Sequence, residues 1–156
     1  MHVRQTMKIL ALTLLAVTAC SVPIVSAEDS RLIIPGAAPH IGPDGRTTEA
    51  IGLETLGGVF TALLERGCSA PCSRTETFTT AADRQTQVTV TLYRGNAKAV
   101  SQAELVGAFR IDRCVSGRRG TPQVALTILM MNRDLVLSAT ELGSRTTCHI
   151  TQESRG

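Results

Sequence analysis

Four cysteines carry the clearest chemistry in this chain: Cys68, Cys72, Cys114 and Cys148. A thiol can ligate a metal, attack a substrate or pair with another thiol, and the compartment decides which. Zinc would need two further ligands at suitable spacing. The one nearby histidine, His149 beside Cys148, points to the opposite face if that segment is a strand, and His40 lies in a loop. No metal site is expected. There is also no G-x-S-x-G, no phosphate loop and no dinucleotide fingerprint, and the acidic residues stand singly. Neither catalytic residues nor a cofactor, and hence no enzyme, are expected.

The N-terminus places the cysteines. "MHVRQTMK" (1–8) is basic and "ILALTLLAVTA" (9–19) is a short apolar run, together the start of a secretory signal. The run is too short for a comfortable membrane span. Two exits compete. "VSA" (25–27) offers small residues to a signal peptidase, giving a signal peptide over 1–27. "VTAC" (17–20) resembles a bacterial lipobox, which would end the signal at 19 and make Cys20 a lipidated N-terminus, the one route to a membrane. By either route the expected location is exported: bacterial periplasm or cell envelope. An even number of cysteines there suggests disulfides, with three connectivities open. "CSAPC" (68–72) spans a turn and suits a small local loop, leaving Cys114 with Cys148. Those two also read as a pair of buried free thiols.

The elements behind these residues read as strands. Only 3% of the 156 residues are aromatic and none is Trp, so Val, Leu, Ile and Ala must form the core. The formal net charge is +3, and removing Arg4 and Lys8 of the leader leaves +1, which argues against nucleic acid as partner. The basic residues, nearly all Arg, are scattered and read as solvated surface. Residues 28–48 are dense in Pro and Gly and read as an irregular arm or linker. Beyond it, "TQVTVTLYR" (86–94) alternates cleanly. "RTETFTT" (74–80), "AFRIDR" (108–113), "DLVLSA" (134–139) and "TTCHIT" (146–151) are strand-like. "QVALTILMM" (123–131) is apolar enough for burial on both faces, "LVGAF" (105–109) reads as a short turn entering a strand, and "VFTALLE" (59–65) is ambiguous on propensity. "NRD" (132–134) and "ELGSR" (141–145) supply turns. The fold class is all-β, an antiparallel β-sandwich over 49–152 with a tail at 153–156.

One stretch asks for more than a sandwich. "GLETLGGVF" (52–60) sets two glycines between apolar runs, as a tight hairpin or a close backbone approach requires. The whole segment 52–96 resembles the start of the substrate-binding β-sandwich of the heat-shock seventy-kilodalton, DnaK-type chaperones. It keeps G-[IL]-E-T-[ML]-G-G-V, a Pro in the next turn, F-[ST]-T-A, Q, V-T-[IV] and a final G. "GAFRID" (107–112), "RGTPQVALTI" (119–128) and "LVLSA" (135–139) continue the likeness in order to about residue 151, with a turn contracted near Met131–Asn132.

The resemblance implies a channel for an extended, apolar peptide. Main-chain pairing would give affinity and a recess for one aliphatic side chain would give preference. Position by position it implies a pocket of Leu53, Val59, Phe78, Val88, Val90 and Val124. Leu56 and Ala81 would arch over the peptide, with main-chain partners around Thr55, Thr79, Ala81, Gln85 and Gln87. "RLIIPG" (31–36) is the kind of segment such a channel prefers, so the arm could occupy it in cis.

The departures from the family are large. The ATPase domain, the leucine-rich linker and the helical lid are not seen; "GRTTEAI" (45–51) replaces the linker's end, with Glu49 at an apolar position, and Arg119 lacks its lid partner. The expectation is an exported chaperone-like domain that holds unfolded or extended peptides without its own ATPase cycle or nucleotide site. The alternative is an envelope adaptor or structural module that uses the sandwich to bind one separate partner protein.

Overall fold

The computed structural model describes residues 30–154; the signal and Cys20 lie outside the described residues. Ten strands follow in chain order: β1 (Arg31–Ile34), β2 (Ala50–Thr55), β3 (Val59–Leu64), β4 (Cys72–Thr79), β5 (Val88–Gly95), β6 (Glu104–Asp112), β7 (Gln123–Met131), β8 (Asp134–Glu141), β9 (Thr146–Thr147) and β10 (His149–Gln152). They form two five-stranded antiparallel sheets. One runs β1-β8-β7-β4 with β9 added to β8, the other β10-β6-β5-β2-β3. The chain is an all-β antiparallel sandwich.

Alternation explains the packing. Along β7, Val124, Leu126, Ile128 and Met130 are buried, while the residues between them are half-exposed. The strand is thus covered on one face only, unlike the expectation from its apolar run: Ala125, Thr127 and Leu129 occupy the outer face. Val88, Val90 and Leu92 of β5 and Phe109 and Ile111 of β6 point inward from the facing sheet. Phe109 is the sole aromatic among the fully buried side chains, and the space beside it is kept by Gly107, where a Cβ would come within 3.0 Å of its ring.

Several elements differ from the sequence reading for identifiable reasons. Residues 105–109 are not a turn but part of the first half of β6, paired with Val90–Tyr93 of β5. Residues 59–64 are a strand, because β2 pairs with them along its length. The arm is only partly irregular: its "RLII" forms β1 along the edge of β8, from Arg31↔Ser138 to Ile34↔Leu135. Ile34 enters the core, and the Gly36 N–H donates to Asp134 Oδ1 at 2.9 Å. β8 has a free row of main-chain groups on that side and takes the nearest extended apolar segment, which is four residues long and followed by Pro35. That segment therefore lies on a sheet edge and not in a channel.

The cysteines tie corners of the sandwich. Cys68–Cys72 closes the β3–β4 loop, and Cys114–Cys148 joins the segment after β6 to the point where the chain leaves β9 for the other sheet. Cys148 is also held by its N–H to the Ala139 carbonyl at 2.9 Å. At the end of β8, Glu141 organises the next turn. Its carboxylate accepts the Ser144 hydroxyl and N–H at 2.6 Å each, then the Gly143 and Gln123 N–H groups at 3.1 and 3.3 Å. The Ser144 bonds above all hold its pKa down to about 2, against the opposing effect of burial.

Two stability results are expected. The Cys114–Cys148 pair spans 34 residues and the Cys68–Cys72 pair four. Loop-closure entropy then predicts a loss of about 4 kcal/mol for C114S/C148S and about 2 kcal/mol for C68S/C72S in denaturant titrations. Equal losses would contradict this. Glu141→Gln is expected to lower the melting temperature by about 5 °C at pH 7. Because the folded pKa is depressed, the wild-type advantage is complete above the ordinary value of 4.5 and disappears as pH falls through about 2. Melting curves of both proteins across that window check the sign.

Candidate functional site

The glycine pair makes a hairpin that carries one apolar side chain at its tip. Gly57 and Gly58 adopt φ of +84° and +75°, the left-handed region, and the Gly58 N–H donates to the Thr55 carbonyl at 3.1 Å. The hairpin is braced from its outer side. The Val100 N–H reaches the Gly58 carbonyl at 3.0 Å, and the Phe60 N–H reaches that of Lys98 at 2.9 Å. Thr55 Oγ1 lies 3.0 Å from Thr61 Oγ1 across the strands. Leu56 stands out from this support, 99% exposed. Just before it, a Cβ on Gly52 would collide with the Thr61 carbonyl oxygen and come within 2.8 Å of the Phe60 ring. So β2 and β3 need one close backbone approach and one left-handed turn, within seven residues.

Beneath the hairpin lies a recess of about 490 Å³. Leu53, Phe78 and Val90 give it apolar surface, from β2, β4 and β5. Thr55, Thr89 and Thr91 add hydroxyls, and Glu54, Leu56 and Gly57 complete the lining. Glu54 is engaged from behind: Tyr93 Oη donates to its Oε2 at 3.3 Å, and burial, with the Glu54 charge as a second cause, raises the Tyr93 pKa. The arrangement is a hollow of mixed character, with apolar surface from Leu53, Phe78 and Val90 and polar groups from Glu54 and the three threonines. Among the described residues no group of three or more His, Cys, Asp or Glu is placed to hold a metal ion.

The structure gathers Leu53, Thr55, Leu56, Phe78 and Val90 at this recess and puts the other residues named from the sequence elsewhere. Val88 and Val124 are core, 7% and 0% exposed. Val59 lines a different hollow beside Phe60 and Ala62. Ala81 is exposed and is not among the residues that line the recess. Gln85 braces its own loop: Oε1 accepts the Ala81 and Ala82 N–H groups at 3.0 and 3.3 Å, and Nε2 donates to the Gln87 carbonyl at 2.6 Å. The Ala81 N–H and Gln87 C=O are thereby taken internally. Thr79 pairs with Gln123 and donates its hydroxyl to the Pro122 carbonyl at 2.9 Å. Sequence reasoning did not mark Glu54, Thr89 or Thr91, although the threonines alternate with Val88 and Val90 and so fall on the opposite side of β5.

Leu56→Asp is expected to leave the melting temperature within about 2 °C of wild type, since a 99% exposed side chain has little packing to lose. A large drop would mean that the tip supports the fold.

A model described as Hsp70 protein matches residues 47–155. Chaperone protein DnaK of Anaplasma marginale (strain St. Maries) is 42% identical over 78 residues, 50% of this chain and 12% of that protein. Chaperone protein DnaK of Elusimicrobium minutum (strain Pei191) is 37% identical over 110 residues, 70% and 18% of the two chains. Heat shock 70 kDa protein 7, chloroplastic, of Arabidopsis thaliana is 33% identical over 133 residues, 78% and 18% of the two. The matched chain spans less than a fifth of each of these relatives.

Proposed function

The chain belongs to the Hsp70 protein family, and from that premise we propose that its sandwich holds extended, apolar segments of unfolded polypeptides in the recess below Leu56. One observation carries the reading. Within the family-matched region, the left-handed hairpin places an exposed leucine at the mouth of a hollow whose apolar surface is Leu53, Phe78 and Val90. A hollow of about 490 Å³ has room for a large aliphatic side chain. Burying one leucine contributes about 2–3 kcal/mol, so affinity is modest, and shielding of the bound segment follows mass action. Capture of this kind rests on apolar burial and needs no nucleotide. Two cross-linked cysteine pairs, together with the basic and apolar leader, support work in an oxidising, exported location.

The test is an anisotropy titration of a fluorescent Leu-rich peptide, without ATP. Replacing its central leucine by serine is expected to weaken binding roughly 30-fold. Leu56→Asp, with its fold intact, is expected to weaken it about tenfold. Equal affinity for both peptides would remove the recess from the reading.

A further inference from the structure

The sandwich has four edges: β1 with β9, and β4, in one sheet, and β10 and β3 in the other. Local devices blunt three of them. β1 and β10 are four residues long and β9 two, and β1 runs into Pro35. β3 is covered from outside at its start by the Val59↔Ala99 bridge and by the bonds to Val100 and Lys98. The fourth edge is different. β4 runs eight residues without a proline or a bulge, all of them paired with β7. Among the described residues, no main-chain group of β4 bonds to any other segment. Half of its N–H and C=O groups point away from β7, and Ser73, Arg74, Thr75, Thr77 and Thr79 are exposed. A threonine-rich edge of this length is a template for one more strand.

The side chains of β4 are complementary to themselves. Antiparallel pairing sets outward-bonding residues against outward-bonding residues, so a second β4 can dock only in registers centred on a residue. Centred on Thr75, Thr75 faces its own copy, Ser73 faces Thr77 and Arg74 faces Glu76. Arg74 Nε already lies 2.9 Å from Glu76 Oε1 within one strand, with the two side chains 60% and 36% exposed. Two copies then form a square of four charges, each flanked by the opposite sign along its strand and across to the other. Centring the pair on a neighbouring residue instead sets Arg74 against Arg74 or Glu76 against Glu76. Like charges directly opposite are destabilising, so the charges select one register.

We propose that β4 is a self-association edge, at which two copies of this chain pair antiparallel about Thr75 and join their β1-β8-β7-β4 sheets into one. The contact uses the same strand on both copies, so it closes at a dimer and propagates no filament. The inference does not depend on the peptide-holding reading. Residues opposite one another project from the same face of the joined sheet. The two copies of Phe78, and with them the two recesses, therefore lie on one side, six residues or roughly 20 Å apart along the strands.

The experiment is sedimentation equilibrium of the full chain from micromolar to millimolar concentration, where a passage from monomer to dimer is expected. Arg74→Glu and Glu76→Arg are each expected to weaken the dimer roughly tenfold, because two attractive pairs become two repulsive ones. An equimolar mixture of these two variants is expected to restore it, since one edge is then wholly acidic and the other wholly basic. Unchanged melting temperatures show that both variants fold. Should either fail to fold, the double variant Arg74→Glu/Glu76→Arg decides: it is expected to pair with itself as tightly as wild type does, and roughly tenfold more weakly with wild type. A chain that stays monomeric up to millimolar concentration overturns the proposal. So does a dimer indifferent to both substitutions, which would use another surface, and so does a mixture that restores nothing.

Discussion

The structure depends on one constraint: the inward-facing aliphatic side chains of the two sheets must all reach a single thin layer between them. With Phe109 as the lone aromatic among the fully buried residues, that layer is filled by Ile51, Leu92, Ile111, Leu126, Ile128, Leu135 and Leu137. Small, branched side chains fill it well only if the two-residue period holds on every strand, because a slip by one residue turns the whole set outward. The bulges between Ile51 and Gly52 and between Leu92 and Tyr93 fall near the strand ends away from the recess. They shift the register beside Ile51 and Leu92, both of which stay fully buried.

The recess is what happens where this layer runs out. Toward the end that carries the glycine hairpin, inward positions stop being covered: Leu53 and Phe78 are half-exposed and Thr55 is exposed, whereas Ile51 and Val124 on the same strands or their neighbours are fully buried. Away from that end, the same face of β4 carries Glu76 and Arg74, which pair with each other at 2.9 Å. The apolar surface of the recess is therefore the frayed margin of the core. Val90 serves both, which explains why its pattern in the sequence cannot be told from ordinary packing.

What could be read in advance follows the strength of local periodicity. β7 was legible to the residue, since "QVALTILMM" has turn residues on both sides. β5 was legible from its Val/Thr alternation, and the hairpin from two adjacent glycines. The resemblance brought Leu53, Thr55, Leu56, Phe78 and Val90 to one place. Features made by distant partners were not legible. β1 is a strand only because β8 offers it an edge, and the side chain of Gln85 takes the Ala81 N–H and Gln87 C=O that looked available from spacing alone. The exposed arginines of loops 80–87, 113–122 and 142–145 likewise reach one end of the sandwich only through the pairing of five strands, β4 to β8.

The clasp between β1 and β8 also has a kinetic meaning. Its Gly36–Asp134 bond links groups 98 residues apart, whereas β7 and β8 meet across a two-residue reversal. Closing so long a loop costs about 4 kcal/mol of chain entropy before any contact is returned. High contact order of this sort places the event late in assembly, after a four-stranded sheet already exists to receive it. Without β1 the flank of β8 would present a row of unpaired main-chain groups, the kind of edge to which another extended chain can add.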